Sequence, residues 1–174
     1  MAAEPESPTL RLAESPADYV GFGGVCREYV GWCRNRYADL AWFVEEVFGY
    51  QSLDAELEVL ATRYGPPNGR TLIATLGGKV VAGGAYRRTG DEVCELKRLY
   101  VTDAARGHGL GRKLCNALMA SAKADGFATM QLDTGDRMTE ALALYDRLGF
   151  QRIGPYHAYP DRLLPYMVFM QRQL

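Results

Sequence analysis

A strand, a glycine-rich turn and an amphipathic helix follow one another between residues 95 and 123, ELKRLYVTDAARGHGLGRKLCNALMASAK. That order constrains the rest of the chain. Glu95 to Val101 reads as a strand, rich in Leu, Tyr and Val. After Arg106-Gly107-His108-Gly109-Leu110-Gly111, the apolar residues Leu110, Leu114, Ala117 and Leu118 recur at helical spacing. The first N–H groups of a helix lack internal partners and lie at the positive end of its dipole, so a strand entering a helix through glycines can form an anion site. Gly109 and Gly111 permit close approach because no Cβ intervenes. Arg106, Arg112 and Lys113 add positive charge. A tight strand-to-helix connection without a ligand would use the same glycines. The G-x-G-x-G spacing is not the G-x-G-x-x-G of a dinucleotide fold.

The remaining elements fit around this unit. Thr9 to Ala13 reads as a short strand, and Ser15-Pro16 as the start of a helix with Ser as N-cap. Over residues 17–35, Phe22, Val25, Cys26, Tyr29, Val30 and Cys33 keep helical spacing, although Gly21, Gly23 and Gly24 each weaken that helix by roughly 1 kcal/mol. Tyr37, Trp42, Phe43, Phe48 and Tyr50 form an aromatic span, readable as a lid on the core or as a wall of an acceptor pocket. Ser52 is expected to cap a helix carrying Leu53, Leu57, Leu60 and Tyr64 inward. Residues 70–75 and 79–87 read as a hairpin, followed by a strand over 93–101, a helix over 109–124, a strand over 127–133 and a helix over 137–148. Residues 150–154 and 166–171 read as the last strands.

With 174 residues, 48% hydrophobic and 24% charged, the chain is expected to fold as one domain, 1–174, with 1–8 as a flexible tail. A net charge of −1 points away from a general nucleic-acid or membrane-surface binder. No apolar run reaches transmembrane length, and MAAEPESP lacks the features of a secretory signal. Cys26, Cys33, Cys94 and Cys115 form no C-x-x-C pair, and the chain has only two histidines. The expectation is therefore no metal, reduced core cysteines and a cytoplasmic location.

The pattern Arg106-x-x-Gly109-x-Gly111 resembles the pyrophosphate loop of the GNAT acyltransferase superfamily, Gln/Arg-x-x-Gly-x-Gly/Ala, and Val101 ends its strand five residues before Arg106. Downstream, ALALYDRLGF from Ala141 to Phe150 resembles the family's second signature, Ala-x-x-x-Tyr-x-x-x-Gly-Phe. The resemblance covers about residues 70 to 172. It implies an α/β fold with a mixed, twisted sheet of about seven strands and helices on both faces. It also implies acetyl-CoA as cosubstrate, its pantetheine arm lying where the strands flanking the loop helix splay apart. The implied contacts are Leu99, Tyr100, Val101, Arg106, Gly107, His108, Gly109, Leu110, Gly111 and Arg112. The Leu99 N–H would polarise the thioester carbonyl, an effect worth roughly 3 kcal/mol, and a bulge near Leu99 would free it. A homodimer is possible by the same resemblance.

An amine nucleophile is mostly protonated at neutral pH, so a proton must leave before or during attack. Glu95 is the candidate base, at the position of a family strand glutamate. A central strand is normally apolar, yet Glu95, Lys97 and Arg98 interrupt this one. Such charges either pair internally or border a wet cleft, and both readings of Glu95 stay open. Tyr145, matching the family tyrosine, is the candidate partner of the leaving thiolate, or else a core tyrosine. Met138 stands where relatives often have Asn. Lys97 and Arg98 either form salt bridges or meet an acidic group on the acceptor, and Tyr156 and His157 fall in a loop bordering the acceptor side in relatives. The expected activity is acetyl transfer from acetyl-CoA directly to an amine, a small molecule ahead of a protein amino group. The rival from another class is a CoA-binding module without catalysis.

Overall fold

The computed structural model describes residues 7–174, so most of the expected tail lies outside the described residues. The strands are β1 (Thr9–Leu12), β2 (Gly69–Leu76), β3 (Lys79–Arg88), β4 (Val93–Val101), β5 (Thr129–Gly135), β6 (Gln151–Ile153) and β7 (Met167–Gln173). The helices are α1 (Pro16–Arg36), α2 (Ala41–Tyr50), α3 (Leu53–Glu58), α4 (Leu60–Tyr64), α5 (Leu110–Ala124) and α6 (Thr139–Arg147). One seven-stranded sheet runs in the order β1-β2-β3-β4-β5-β7-β6. Every neighbouring pair is antiparallel except β4 and β5, which α5 joins as a parallel crossover. None of the described helices is long and apolar enough to cross a membrane.

Helix α1 starts on a reciprocal cap. The Ser15 side chain accepts from the Asp18 N–H at 3.2 Å, and the Asp18 carboxylate accepts from the Ser15 N–H at 3.0 Å. Phe22, Val25, Cys26, Val30 and Cys33 then turn into the core. Two glycines explain how α1 comes so close to the sheet. A Cβ on Gly21 would lie 2.5 Å from Val80 of β3, and one on Gly83 would lie 2.6 Å from the Phe22 ring. On the other face α5 lays Leu110, Leu114, Leu118 and Ala122 against β2, β3 and β4. The sheet is thus covered on both sides, as the sequence implied.

Two local expectations need correction. Ser52 has φ +53 and forms no side-chain cap, and the expected single helix is broken at Val59 into α3 and α4. The break lets Glu56 turn inward to Arg98 while Leu60 and Tyr64 pack beside α1. Strand β5 also starts and ends two residues later than expected, because Phe127 leaves the sheet to pack on Tyr86 while Gly135 still pairs with Met167 of β7. The aromatic span, to which the sequence assigned no element, is mainly α2.

The site follows from two departures from a regular sheet. The β4–β5 ladder pairs only Val93, Cys94 and Glu95 with Thr129, Met130 and Gln131; beyond that the strands part. Within β4, Lys97 faces Ala85 and Tyr100 faces Gly83, so the backbone of Arg98 and Leu99 is left out of the ladder with β3. Arg98 takes φ +58, a conformation uncommon for a residue with a Cβ. The extra residue shifts the alternation of side chains. Cys94, Leu96, Leu99 and Val101 meet the α5 side, and Glu95, Lys97, Arg98 and Tyr100 share the other face.

Candidate active site

Where β4 and β5 part, a cleft of about 470 Å³ opens. Leu99, Tyr100 and Val101 form one wall, Asp133 to Gly135 and Tyr145 the other, and Phe43 and Phe48 contribute to its cover. At one end Arg106, Gly107 and Gly111 line it. Gly107 and Gly109 have φ +86 and +66, the left-handed region that glycine favours. Gly109 is the N-cap of α5 and offers no side-chain cap. The Lys113 N–H returns to the Gly109 carbonyl at 3.1 Å, while the amides of Leu110, Gly111 and Arg112 have no backbone partner among the described residues. A turn with three free amides at a helix start, with open space around Gly107 and Gly109, fits a diphosphate. The Leu110 side chain itself is buried in the core, and His108 and Arg112 are exposed outside the cleft lining. Arg106 pairs with Asp103 at 2.9 Å on the surface.

Tyr145 is on the buried side of α6, its ring 5.6 Å from Phe150, and it lines the cleft opposite Leu99. Its hydroxyl bonds to no protein atom among the described residues yet is not sealed from the cleft. Burial pushes its pKa well above the ordinary tyrosine value, with Cys115 and Asp133 adding to the effect. Met138 leads into α6 and packs among Cys33, Tyr37 and Phe43, so it supplies an apolar surface where a polar contact was expected.

Glu95 is wholly buried, and four groups converge on it. Arg87 donates from Nη2 at 2.9 Å and from Nε at 3.1 Å, and the Tyr156 hydroxyl donates at 2.9 Å. His157 Nε2 also bonds the carboxylate, and the Lys97 ammonium lies 3.8 Å away. Burial alone would raise the carboxyl pKa, but Lys97, the His157 hydrogen bond and Arg87 outweigh it and hold it well below the usual range. Glu95 thus has the ion pairs of one of its two readings. It reaches the exterior through His157, whose side chain is 27% exposed. Glu95, Asp133 and His157 place ligand-type atoms within 4.8 Å of one another. Arg87 and Lys97 already neutralise these carboxylates, a poor setting for a cation.

A second cavity of about 300 Å³ adjoins the cleft at Gln51 and Lys97, which line both. Tyr50, Glu56, Arg63, Arg87, His157 and Tyr159 also border it. Its cover is tied down. Tyr50 donates to the Ala158 carbonyl at 2.9 Å, Gln51 to the Tyr159 hydroxyl at 2.8 Å, and Tyr159 to Asp133 at 3.0 Å. Within the aromatic span, Tyr37 and Phe43 are buried core, as one of its two readings had it, and Tyr50 borders the second cavity. Arg98 pairs with Glu56 at 2.8 Å and donates to Gln51 at 2.8 Å. Arg87, Glu56, Gln51 and Asp133 were not singled out from the sequence. Arg87 had a findable signal, since it lies directly opposite Glu95 in the antiparallel hairpin. Asp133 lies inside β5, opposite Phe169 of β7, and its sequence position carried no such signal.

A family model described as the acetyltransferase (GNAT) family matches residues 34–150. An uncharacterised N-acetyltransferase of Schizosaccharomyces pombe is 33% identical over 127 residues, which cover 72% of this chain and 76% of the relative. The fold is similar to that of a crystallised acetyltransferase from Streptococcus agalactiae, with TM-score 0.75 and 22% identity over 97% of this chain and 99% of that one. A GNAT acetyltransferase of Elizabethkingia anophelis, solved with acetyl-CoA bound, aligns at TM-score 0.53 and 18% identity over 67% of this chain and 82% of that one.

Proposed function

The chain belongs to the acetyltransferase (GNAT) family of N-acetyltransferases, and from that premise we propose that it moves the acetyl group of acetyl-CoA directly to the amine of a small molecule. The observation that carries this is the parted β4–β5 pair leading from three free helix amides to the bulge at Leu99. In this reading the amides of Leu110, Gly111 and Arg112 hold the diphosphate, and Arg106 adds charge from the rim. The backbone of Leu99 and Val101 orients the arm of the cosubstrate in the gap. The Leu99 N–H, outside the ladder, donates to the carbonyl oxygen as negative charge gathers there.

The proton leaves the amine toward the second cavity. Glu95 is buried and its carboxylate is a weak base, so it acts through His157, which it orients and which faces that cavity. As the new N–C bond forms, the C–S bond breaks, and the Tyr145 hydroxyl donates a hydrogen bond to the departing sulfur. Because burial raises the Tyr145 pKa, the hydroxyl keeps its proton and solvent protonates the thiolate. A small acceptor is favoured over a protein amino group because the second cavity, about 300 Å³, is of small-ligand size and its cover is laced to Asp133 and Ala158.

Heat of binding for acetyl-CoA, then thiol release across a panel of amines and N-terminal peptides, tests the reading. Binding with amine-dependent thiol release is the expected result, and Gly109→Glu, folded but carrying a charge and side chain into the diphosphate site, should not bind. Equal binding by that variant overturns the loop assignment, and binding without transfer to any acceptor returns the protein to a CoA-binding module.

A further inference from the structure

We infer that the second cavity binds an acidic group on the acceptor, so that the acetylated amine also carries a carboxylate or a comparable oxyanion. This rests on the acetyl-transfer reading and names its substrate class. On this face of the sheet four cations, Arg63, Arg87, Lys97 and Arg98, meet three carboxylates, Glu56, Glu95 and Asp133. The imbalance is concentrated at the cavity. Arg63, Arg87 and Lys97 border it, whereas among the described residues Glu56 is its only bordering carboxylate.

The cations also have donors to spare. Lys97 is 7% exposed, and its ammonium lies 3.6 Å from Asp133 and 3.8 Å from Glu95, beyond hydrogen-bond distance of both. Among the described residues none of its three N–H groups bonds to a protein atom, and the nitrogen is not sealed off. The ammonium therefore has its donors open to the cavity, where an oxyanion can accept from them. Arg87 spends both of its bonds, from Nε and Nη2, on one oxygen of Glu95, which leaves Nη1 free. The Nη2 of Arg98 is buried without a partner. An oxyanion between Lys97 and Arg87 would accept from both and cancel the excess charge. Lys97 also lines the cleft, so a ligand anchored there lies beside the cleft that Leu99 walls.

The test uses matched ligands. Heat titrations of the CoA-saturated protein, and initial rates with acetyl-CoA, would compare amino acids with their methyl esters and decarboxylated amines. Aminophosphonates form a separate arm that tells carboxylate from phosphoryl recognition. The expected result is at least a tenfold preference in kcat/KM for the acidic member of each pair. Arg63→Gln, which also removes the Glu56 partner and so costs some stability, should shrink that preference by about tenfold with CoA affinity retained. Lys97→Gln should shrink it further. Esters or neutral amines used as well as the acids, peptides preferred to all of them, or a preference unmoved in both variants would overturn the inference. Failure of the wild type to bind CoA would instead overturn the acetyl-transfer reading.

Discussion

Arg87, Lys97, Tyr156 and His157 converge on the single carboxylate of Glu95, so its removal has consequences for stability as well as rate. Glu95→Gln keeps the shape but strands two cations, and breaking a buried pair from one side costs about 3–5 kcal/mol. The folded-state pKa of Glu95 is depressed below the 4.5 of the free group, so its stabilisation is fully present above that value and is lost as pH falls through the folded pKa. The melting-temperature gap between wild type and Glu95→Gln should therefore stay constant above about pH 5 and narrow in more acid solution. A gap that widens on acidification would contradict the pairing. Tyr145→Phe makes the complementary case. The hydroxyl bonds to no protein atom among the described residues, so melting should hardly move, while kcat should fall by about a hundredfold or more. A kcat within about twofold of wild type would remove Tyr145 from the chemistry. Tyr145 was singled out by its place in an ordered motif, and Glu95 by its place in the strand and by the charges that interrupt an apolar run. Glu56 and Asp133 were not, since their importance comes from partners distant in sequence, Arg98 and Lys97, that only the folded sheet brings near.

At the scale of elements, the bulge in β4 does what no residue does alone. It places Glu95, Lys97 and Arg98 on one face and withdraws the Leu99 backbone from the ladder. The interruption of an apolar strand by charges was visible in the sequence, but which face each would take was not, because the shift in alternation depends on one backbone conformation at Arg98. The same limit applied at Val59. Helical spacing through residue 64 suggested one helix, while ion pairing at Glu56 and packing at Leu60 required two. The glycines of α1, read from sequence as uniformly weakening, divide by position. Gly24 is exposed with no atom near its absent Cβ, so Gly24→Ala should stabilise by roughly 0.5–1 kcal/mol. Gly21→Ala must displace Val80 and should destabilise despite the better helix propensity. Denaturant unfolding of the two variants would show opposite signs; a gain for both would mean that α1 does not depend on close contact with β3.

Over the whole molecule, the cysteines offer a reading of how cooperatively the sheet and its helices hold together. Cys26 and Cys33 lie on α1, Cys94 on β4 and Cys115 on α5, spread over the packed clusters on both faces. Burial pushes each of the four thiols up to about 12, and the thiolate is the reactive form, so none should label in the native state. Labelling near neutral pH then requires the chain to open, and its rate follows the free energy of opening when reclosure is fast. A ligand that binds only the folded chain adds stability by mass action, about 2.7 kcal/mol at a hundredfold excess over its Kd. If the cleft takes acetyl-CoA, whose sulfur is blocked, that excess should slow labelling of all four cysteines by about a hundredfold. Gly109→Glu should label at the same rate with and without it. Protection confined to Cys94 and Cys115, with Cys26 and Cys33 unaffected, would show instead that α1 opens independently of the sheet.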